Sequence, residues 1–351
     1  MAMKKLSAYL KFLLLFLRIK WIGITSRFPP LAGGVLDEQT ALMRRGQVAL
    51  GEVILEQLSL DRARSGFREN FPLLKLIGGL FEKVHSTRDL SIPSPTGDLP
   101  ARLYLPGTGK DYPLLVYFHG GGWVFGDIET VDNISRFFCR HLPCAVLSVD
   151  YRLAPEHPFP AAVEDAITAV EWAALHAHEL NADPTRLLVA GDSAGGTLTA
   201  VVAQQALRKG SPKLSAQVLL YAATDCSSLD TPSYRLFGEK SLGLPRKDVD
   251  WFLEQYVPDA ATRLDPRVSP LLSTDLQNLP PALVVTAEFD VLRDEGETYA
   301  RRLQEAGVPV QLIRCNGVTH GFLSTIGLIQ RSTRYFHQVI AALEKIMAPQ
   351  A

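Results

Sequence analysis

The sequence has few of the residues that mark disulfide-stapled, nucleic-acid-binding or membrane-spanning proteins. Its 351 residues include only four cysteines, which form no C-x-x-C pair and no Cys/His cluster at metal-ligand spacing. The 36 basic residues nearly balance the 37 acidic ones, so the net charge of -1 does not indicate a polyanionic partner. The length and the 47% hydrophobic content instead fit one large globular domain with an accessory piece.

The four cysteines are predicted to be reduced and structural, which favours a cytoplasmic location. They are Cys139, Cys144, Cys226 and Cys315. A disulfide between Cys139 and Cys144 is the alternative that an oxidising compartment would allow.

The first 29 residues lack acidic side chains but carry six basic ones, and their leucines recur at helical spacing from Leu6 to Leu17. This pattern predicts a basic amphipathic leader helix. The apolar run 12–17 has six residues, far below the roughly 18 to 20 that a membrane span needs. Lys11 interrupts the apolar stretch and no small-residue cleavage site follows, which disfavours a signal peptide. Peripheral contact with the inner face of the membrane and coverage of an active-site mouth both stay open.

The pattern of predicted secondary structure changes near residue 85. Residues 1–85 are predicted to form an N-terminal helical cap segment that includes the leader 1–29. Residues 86–351 are predicted to form the main domain, in which strands and helices alternate. The stretch from about 224 to 270 breaks this alternation and is predicted to be an insertion that contributes to the cap.

Short apolar runs separated by glycine and proline turns predict strands, and amphipathic stretches between them predict helices. The predicted strands are 88–92, 101–105, 114–118, 145–150, 186–190, 217–221, 282–287 and 310–314. The predicted helices are 36–58, 60–81, 160–180, 193–209, a piece near 242, 247–256, 294–305 and 332–347. Continuous apolar strands between amphipathic helices indicate an α/β fold with a mainly parallel sheet covered on both faces.

A G-x-S-x-G motif, Gly191 to Gly195, lies between a predicted strand and a predicted helix. Its glycines permit a tight turn with Ser193 at the apex, and the following helix N-terminus favours a developing anion. Ser193 is therefore predicted to be a nucleophile. A glycine-rich turn with a helix-capping serine would explain the local pattern alone.

A second motif, His119-Gly120-Gly121-Gly122-Trp123, directly follows the predicted strand 114–118. Acyl transfer requires backbone N–H donors where the carbonyl oxygen becomes negative, and glycines let the main chain approach that oxygen. Gly121, Gly122 and Ala194 are predicted to be the oxyanion-hole donors. Together with G-x-S-x-G, this loop indicates hydrolysis.

A general base must follow the serine, because the triad order in this type of enzyme is Ser, Asp or Glu, then His. Only His320 and His337 lie beyond Ser193. His320 lies in a predicted loop after a strand, whereas His337 lies inside the terminal helix. His320 is therefore the predicted base.

Four acidic residues follow the predicted strand 282–287: Glu288, Asp290, Asp294 and Glu295. Asp290 comes just beyond the strand's carboxyl end, where it can reach His320. Asp294 and Glu295 have the positions of first-turn helix residues favoured by the helix dipole. Asp290 is therefore the predicted orienting acid.

Four segments together resemble the hormone-sensitive-lipase family of bacterial esterases (family IV), in its GDSAG branch. They are 119–123, 150–156, 191–196 and 320–322. The resemblance implies an α/β-hydrolase fold with a helical cap, in a monomer or homodimer that hydrolyses short- to medium-chain acyl esters. No metal or organic cofactor is expected.

Two further residues, Trp123 and Asp192, are predicted to contact the substrate, although Trp123 alternatively only packs behind the oxyanion loop. Three rival functions stay open. They are a membrane-associated lipase, a hydrolase of amides or lactones, and a non-catalytic ligand-binding protein on the same fold. The last would lack the catalytic histidine, and here His320 is present.

Overall fold

The structure is a computed structural model that describes residues 34–49, 55–68, 82–240 and 242–348. The predicted leader helix lies outside the described residues, as does the second half of the predicted helix 60–81. Of that helix, residues 60–68 are described and helical.

Eight strands form a single sheet in the order β1-β2-β4-β3-β5-β6-β7-β8. The strands are β1 Ser86–Ile92, β2 Leu99–Leu105, β3 Tyr112–Phe118, β4 Ala145–Val149, β5 Ala182–Asp192, β6 Ala216–Leu220, β7 Ala282–Phe289 and β8 Val310–Thr319. The β1-β2 and β2-β4 pairs are antiparallel, and the other pairs are parallel. The prediction of a mainly parallel sheet is confirmed.

The helices cover both faces of this sheet. They are α1 Glu38–Ala49, α2 Asp132–His141, α3 Ala161–Leu175, α4 Ala194–Lys209, α5 Pro232–Phe237, α6 Arg246–Tyr256, α7 Arg293–Glu305 and α8 Gln330–Met347, with residues 60–68 between α1 and α2. Alternate residues of β3 point to opposite faces, as the pleat requires. Leu114 and Val116 pack with α3 and α4, whereas Leu115 and Tyr117 pack with α2 and α8.

Several elements differ from the prediction. The helix α2 is not predicted, and β5 begins at Ala182, four residues before its predicted start at 186. The helical piece predicted near Leu242 is wrong: the helix lies at α5 instead, where the Thr231 side chain caps the N-terminus and Pro232 occupies its first turn. Strand β8 runs to Thr319, five residues past its predicted end, because pairing with β7 resumes after an irregularity and joins Phe289 to Thr319. The polar Asn316-Gly317 pair resembles a turn in sequence but lies within the strand.

The N-terminal helices lie against the loops at the carboxyl ends of the parallel strands. The Asp37 amide donates to the Gly317 carbonyl of β8 at 2.8 Å, just before α1 begins. The Phe67 ring lies 5.6 Å from the Phe125 ring, in the loop after β3. Phe252 of α6 contacts the same Phe125 ring at 5.2 Å. That these segments form a separate cap, with the predicted boundaries, stays a prediction.

Truncating a buried aromatic residue should show how much the packing of α2 and α8 on the sheet contributes to stability. Phe138 of α2 is fully buried, 6.0 Å from the Tyr117 ring of the sheet and 4.8 Å from the Phe336 ring of α8. We expect Phe138→Ala to lower the free energy of unfolding by about 3–5 kcal/mol, through lost transfer energy and a residual cavity. Urea denaturation would measure this. The control Leu175→Ala, at a side chain 82% exposed, should change it by less than about 0.5 kcal/mol. Equal small losses in both variants would contradict this packing.

Candidate active site

Ser193 lies at a sharp turn between β5 and α4. Its backbone has φ 54° and ψ -120°, a conformation that non-glycine residues rarely adopt, and its amide donates to the Leu220 carbonyl at 2.9 Å. A Cβ atom on Gly191 would collide with the Gly195 carbonyl, and one on Gly195 with the Phe118 carbonyl. The two motif glycines therefore allow the close approach that holds Ser193 at the apex.

Three side chains form a continuous hydrogen-bonded row. The Ser193 Oγ lies 3.0 Å from His320 Nε2, and His320 Nδ1 lies 2.7 Å from Asp290 Oδ2. The Asp290 side chain is fully buried, and its Oδ1 accepts a hydrogen bond from the Leu292 amide at 3.0 Å. The carboxylate is thus held with one oxygen toward the imidazole.

The other acidic residues near Asp290 point elsewhere. Glu288 accepts from the Gly317 amide at 2.7 Å, and Asp294 accepts from the Ser233 amide at 2.8 Å. Glu295 accepts from the backbone amides of the loop after β6. His337, the other histidine late in the chain, is exposed on α8, and its ring lies 5.0 Å from the Phe137 ring of α2.

The glycine loop after β3 has an unusual backbone. Gly121, Gly122 and Trp123 all have positive φ, at 120°, 60° and 61°. The Gly121 carbonyl accepts from the amides of Val124 and Phe125, which closes the loop on itself. Such consecutive left-handed residues expose backbone amides on one side, as anion-binding nests do.

Gly122 and Ala194 line the same cavity as Ser193. Ala194 is the first residue of α4, where N–H groups have no carbonyl partner within the helix. A Cβ on Gly122 would collide with the Phe252 ring, so this position accepts only glycine. The assignment of Gly121, Gly122 and Ala194 as donors stays a prediction consistent with these positions.

Asp192 does not line that cavity, although the sequence predicts a substrate contact for it. Its Oδ1 accepts from the Tyr117 hydroxyl at 2.8 Å and from the Gly120 amide at 3.0 Å. The carboxylate is buried and supports the glycine loop from below. Burial raises the pKa of Asp192 to about 6, although the hydrogen bonds from Tyr117 and Gly120 oppose that rise.

The start of the glycine loop is fixed by aromatic residues. The Tyr151 hydroxyl donates to the His119 carbonyl at 2.7 Å, and the two rings stack with centroids 4.2 Å apart. His119 Nδ1 lies 2.8 Å from the Gly120 carbonyl. Burial lowers the pKa of His119 to about 4, so the ring is neutral near pH 7 and donates to that carbonyl.

The cavity beside Ser193 has mostly apolar walls and a few polar residues. Trp123 lines it, as the sequence predicts, and its ring also stacks on Tyr256 with centroids 4.5 Å apart. Phe252 and Leu253 of α6 also line it. Tyr234 and Glu295 supply polar groups. An apolar pocket with few polar groups is typical of small-molecule sites.

Two residues near the hydrogen-bonded row of Ser193, His320 and Asp290 belong to no sequence motif. Arg44 of α1 donates from Nη2 to the Thr319 hydroxyl at 3.1 Å, one residue before His320. Burial lowers the pKa of Arg44 to about 10, and the nearby Asp290 opposes this shift. The Tyr221 ring lies edge-on to the His320 ring at 5.1 Å. Only the tertiary fold brings these side chains to the site.

Within the described ranges, no group of three or more His, Cys, Asp or Glu side chains is arranged to hold a metal ion. The four cysteines are all buried and unpaired. No described helix is both long and apolar enough to cross a bilayer.

Comparisons with known proteins agree with this geometry. A family model described as having the alpha/beta hydrolase fold matches residues 115–324. The carboxylic ester hydrolase LipN of Mycobacterium tuberculosis is 50% identical over 261 residues, which cover 73% of this chain and 69% of the relative. The ethyl acetate hydrolase of Pseudomonas putida is 37% identical over 313 residues, or 87% and 96% of the two chains. An esterase structure from Pyrobaculum calidifontis superposes with a TM-score of 0.81 at 38% identity, covering 87% and 98%.

Replacing Asp192 by asparagine should change how stability depends on pH. The folded state holds the carboxyl proton up to about pH 6, whereas the unfolded chain loses it near the ordinary value of 3.8. The wild type should therefore lose stability between about pH 4 and pH 6, and Asp192→Asn should not lose this part. Relative to wild type, the variant should gain up to about 3 kcal/mol by pH 7.

Urea denaturation of both proteins at pH 4 and pH 7 would measure this gain, and comparing the two proteins cancels the other titrating groups. A difference in unfolding free energy that is the same at both pH values would contradict the raised pKa.

Proposed function

The chain belongs to the α/β-hydrolase family and is a carboxylic-ester hydrolase, and on that premise we propose that Ser193, His320 and Asp290 are its catalytic triad. The hydrogen-bonded row from Ser193 through His320 to the buried Asp290 carries this proposal. The order of the three residues along the chain is the order typical of this fold. The identity to carboxylic-ester hydrolases also supports the resemblance to the hormone-sensitive-lipase family.

In the proposed reaction, the Ser193 Oγ attacks the ester carbonyl while His320 Nε2 accepts its proton. Asp290 stabilises the imidazolium through the 2.7 Å contact to Nδ1. His320 then gives its proton to the leaving alcohol, which departs and leaves an acyl-serine. A water molecule, deprotonated by His320, attacks the acyl-serine. His320 returns that proton to the Ser193 Oγ as the bond to the acyl group breaks and the acid is released.

The tetrahedral intermediates of both steps carry a negative oxygen. We assign the amides of Gly121, Gly122 and Ala194 to that oxygen, because Gly122 and Ala194 border the cavity beside Ser193. Loss of one such donor typically lowers turnover about a hundred- to a thousand-fold. The buried Asp192 and Tyr151 contacts hold the loop before substrate arrives.

The proposed substrates are esters with short- to medium-chain acyl groups. Trp123, Phe252 and Leu253 bound the cavity with large side chains, which favours small groups. One of the relatives is named an ethyl acetate hydrolase, and ethyl acetate is a small ester. The proposed cap consists of residues 1–85 and about 224–270, with α1, α6 and residues 60–68 near the site.

The membrane-associated lipase is the second candidate, and the composition of residues 1–29 favours it: six basic and no acidic side chains. On this proposal the enzyme lies in the cytoplasm and the leader rests peripherally on the membrane's inner face. The homodimer stays a prediction from the family resemblance.

Substitution of Ser193 tests the proposed nucleophile. We expect Ser193→Ala to lower kcat on nitrophenyl esters by at least about 10⁴-fold without loss of folding, because no acyl-serine forms. In a series of nitrophenyl esters of increasing acyl-chain length, the wild type should hydrolyse the shorter members. The control Ser227→Ala changes a serine in an exposed turn, whose bonds are to Asp225, and should retain activity. Equal activity of Ser193→Ala and wild type would disprove the assigned nucleophile.

Removal of residues 1–29 tests the membrane proposal. We expect the truncated protein to lose binding to vesicles that contain anionic lipid, because the six basic side chains of the leader supply the attraction. Co-sedimentation with vesicles of anionic or of purely zwitterionic lipid would measure binding. Activity on a soluble ester serves as the control for folding. If full-length and truncated proteins sediment alike, the leader is not the membrane contact.

A further inference from the structure

Three residues that line the cavity beside Ser193 each carry a buried polar atom without a hydrogen-bond partner among the residues that the structure describes. They are Glu295 at Oε2, Tyr234 at its hydroxyl and Trp123 at Nε1, and these residues are 1%, 3% and 3% exposed. Leaving a buried polar group unpaired typically costs about 1–3 kcal/mol, so a cavity that holds three of them is arranged for a polar guest.

Glu295 is fixed by its other oxygen. Its Oε1 accepts from the Thr224 amide at 2.8 Å and from the Asp225 amide at 3.2 Å. These bonds hold the carboxyl at the start of α7 and leave Oε2 toward the cavity side. Burial raises the pKa of Glu295 well above its ordinary value, and the carboxylates of Asp225 and Asp290 add to this effect. A neutral carboxylic acid offers an O–H donor.

Tyr234 belongs to α5, whose first turn is held firmly. The Ser233 hydroxyl donates to the Val291 carbonyl at 2.6 Å, and the Ser233 amide donates to Asp294. Burial raises the pKa of the Tyr234 hydroxyl, and the adjacent Glu295 raises it further, so the hydroxyl keeps its proton. Tyr234 and Glu295 therefore present two neutral donors to one region of the cavity.

The rest of the cavity discriminates against negative charge. Leu229, Val249, Leu253 and Leu292 line it beside the polar pair, and so does Asp225. A carboxylate group would lose its hydration there and meet a like charge, whereas a neutral oxygen needs only a donor. The group that faces the two donors is therefore a neutral hydrogen-bond acceptor on a short chain.

We propose that Glu295 and Tyr234 form a specificity subsite that binds a keto or hydroxyl oxygen in the part of the ester that enters this cavity. The proposal deepens the esterase function and rests on it. The preferred substrates are short esters that carry such an oxygen near the reacting carbonyl, in either the acyl or the alcohol group.

Two pairs of shape-matched esters test the subsite. On the acyl side, nitrophenyl 3-oxobutanoate is compared with nitrophenyl 3-methylbutanoate, in which a methyl group replaces the keto oxygen. On the alcohol side, 2-oxopropyl acetate is compared with 2-methylpropyl acetate. For each pair the measured quantity is the ratio of kcat/KM for the oxo ester to kcat/KM for the alkyl ester. Differences in intrinsic ester reactivity cancel when the ratio of a variant is divided by the wild-type ratio.

The main variant is Tyr234→Phe, which removes one hydroxyl and keeps the ring. We expect the ratio to fall about tenfold for the pair whose varied group enters the cavity, with kcat/KM for the alkyl ester unchanged within about twofold. Because the hydroxyl has no partner among the described residues, the variant should fold as stably as wild type. The control Tyr112→Phe removes a hydroxyl at the opposite end of β3, where it accepts from the Gly109 amide, and should leave both ratios unchanged.

A second variant, Glu295→Gln, tests the neutral donor. The amide keeps the oxygen that accepts from Thr224 and Asp225 and offers N–H in place of O–H, so both ratios should stay within about threefold of wild type. A larger fall in either ratio would overturn the proposal that Glu295 donates a hydrogen bond as a neutral acid.

A fall in one ratio for Tyr234→Phe supports the subsite and tells which part of the ester it binds. Unchanged ratios in both pairs, with normal activity on the alkyl esters, would overturn the subsite and leave the esterase function intact. Inactivity of the wild type on all four esters would instead count against the proposed function.

Discussion

The active site depends on one strained residue. Ser193 adopts a left-handed backbone conformation that a serine does not favour, and it is held there by the surrounding main chain rather than by its own preference. The contact that forces this is the close approach of α4 to the end of β3, where Gly195 lies against the Phe118 carbonyl. Any side chain at Gly195 would separate the two elements. The same approach brings Ala194 and the glycine loop after Phe118 to one side of the Ser193 hydroxyl. The positions of Ser193 and of the glycine loop are therefore two results of a single packing constraint.

A buried polar network links these two parts from below. The Asp192 carboxylate, next to the nucleophile, accepts hydrogen bonds from Tyr117 in β3 and from the Gly120 amide. Tyr151 binds the carbonyl of His119 from the other side. A short loop of three glycines has large conformational freedom, and the energy of fixing it must come from such contacts. Burying Asp192 raises its pKa and thus lowers stability near neutral pH. This loss is consistent with a site whose shape is fixed before substrate binds, at some expense of global stability.

The sequence predicts those parts of the site that short segments encode. The G-x-S-x-G and H-G-G-G motifs need special backbone conformations, so their glycines are visible in the sequence alone. Asp290 can be predicted as the orienting acid because the end of β7 is recognisable in the sequence as the end of an apolar run. Tyr221, Arg44 and Asp192 differ, since their contacts join residues far apart in the chain or depend on which way one side chain turns. For Asp192 the motif indicates proximity to substrate, but the pleat of β5 turns the carboxylate under the loop. The sequence does not predict the extension of β8 for a similar reason. Its polar residues form a strand only because they pair with β7.

The glycine loop and the segment that carries His320 also share a support outside the sheet. Arg64, in the helical residues 60–68, donates to the carbonyls of Val124 and Ala154 at 2.9 Å, directly behind the glycine loop. Arg44 of α1 donates to Thr319, beside His320, and the Asp37 amide binds β8 two residues earlier. Each arginine lies in a helix before the first strand. Arg64 binds behind the glycine loop, and Arg44 binds the last residue of β8, next to His320. A guanidinium group suits this role because its fixed fork can join several acceptors at once. Movement of these helices would therefore change the positions of His320 and of the glycine loop together, so the two parts of the candidate site are physically coupled.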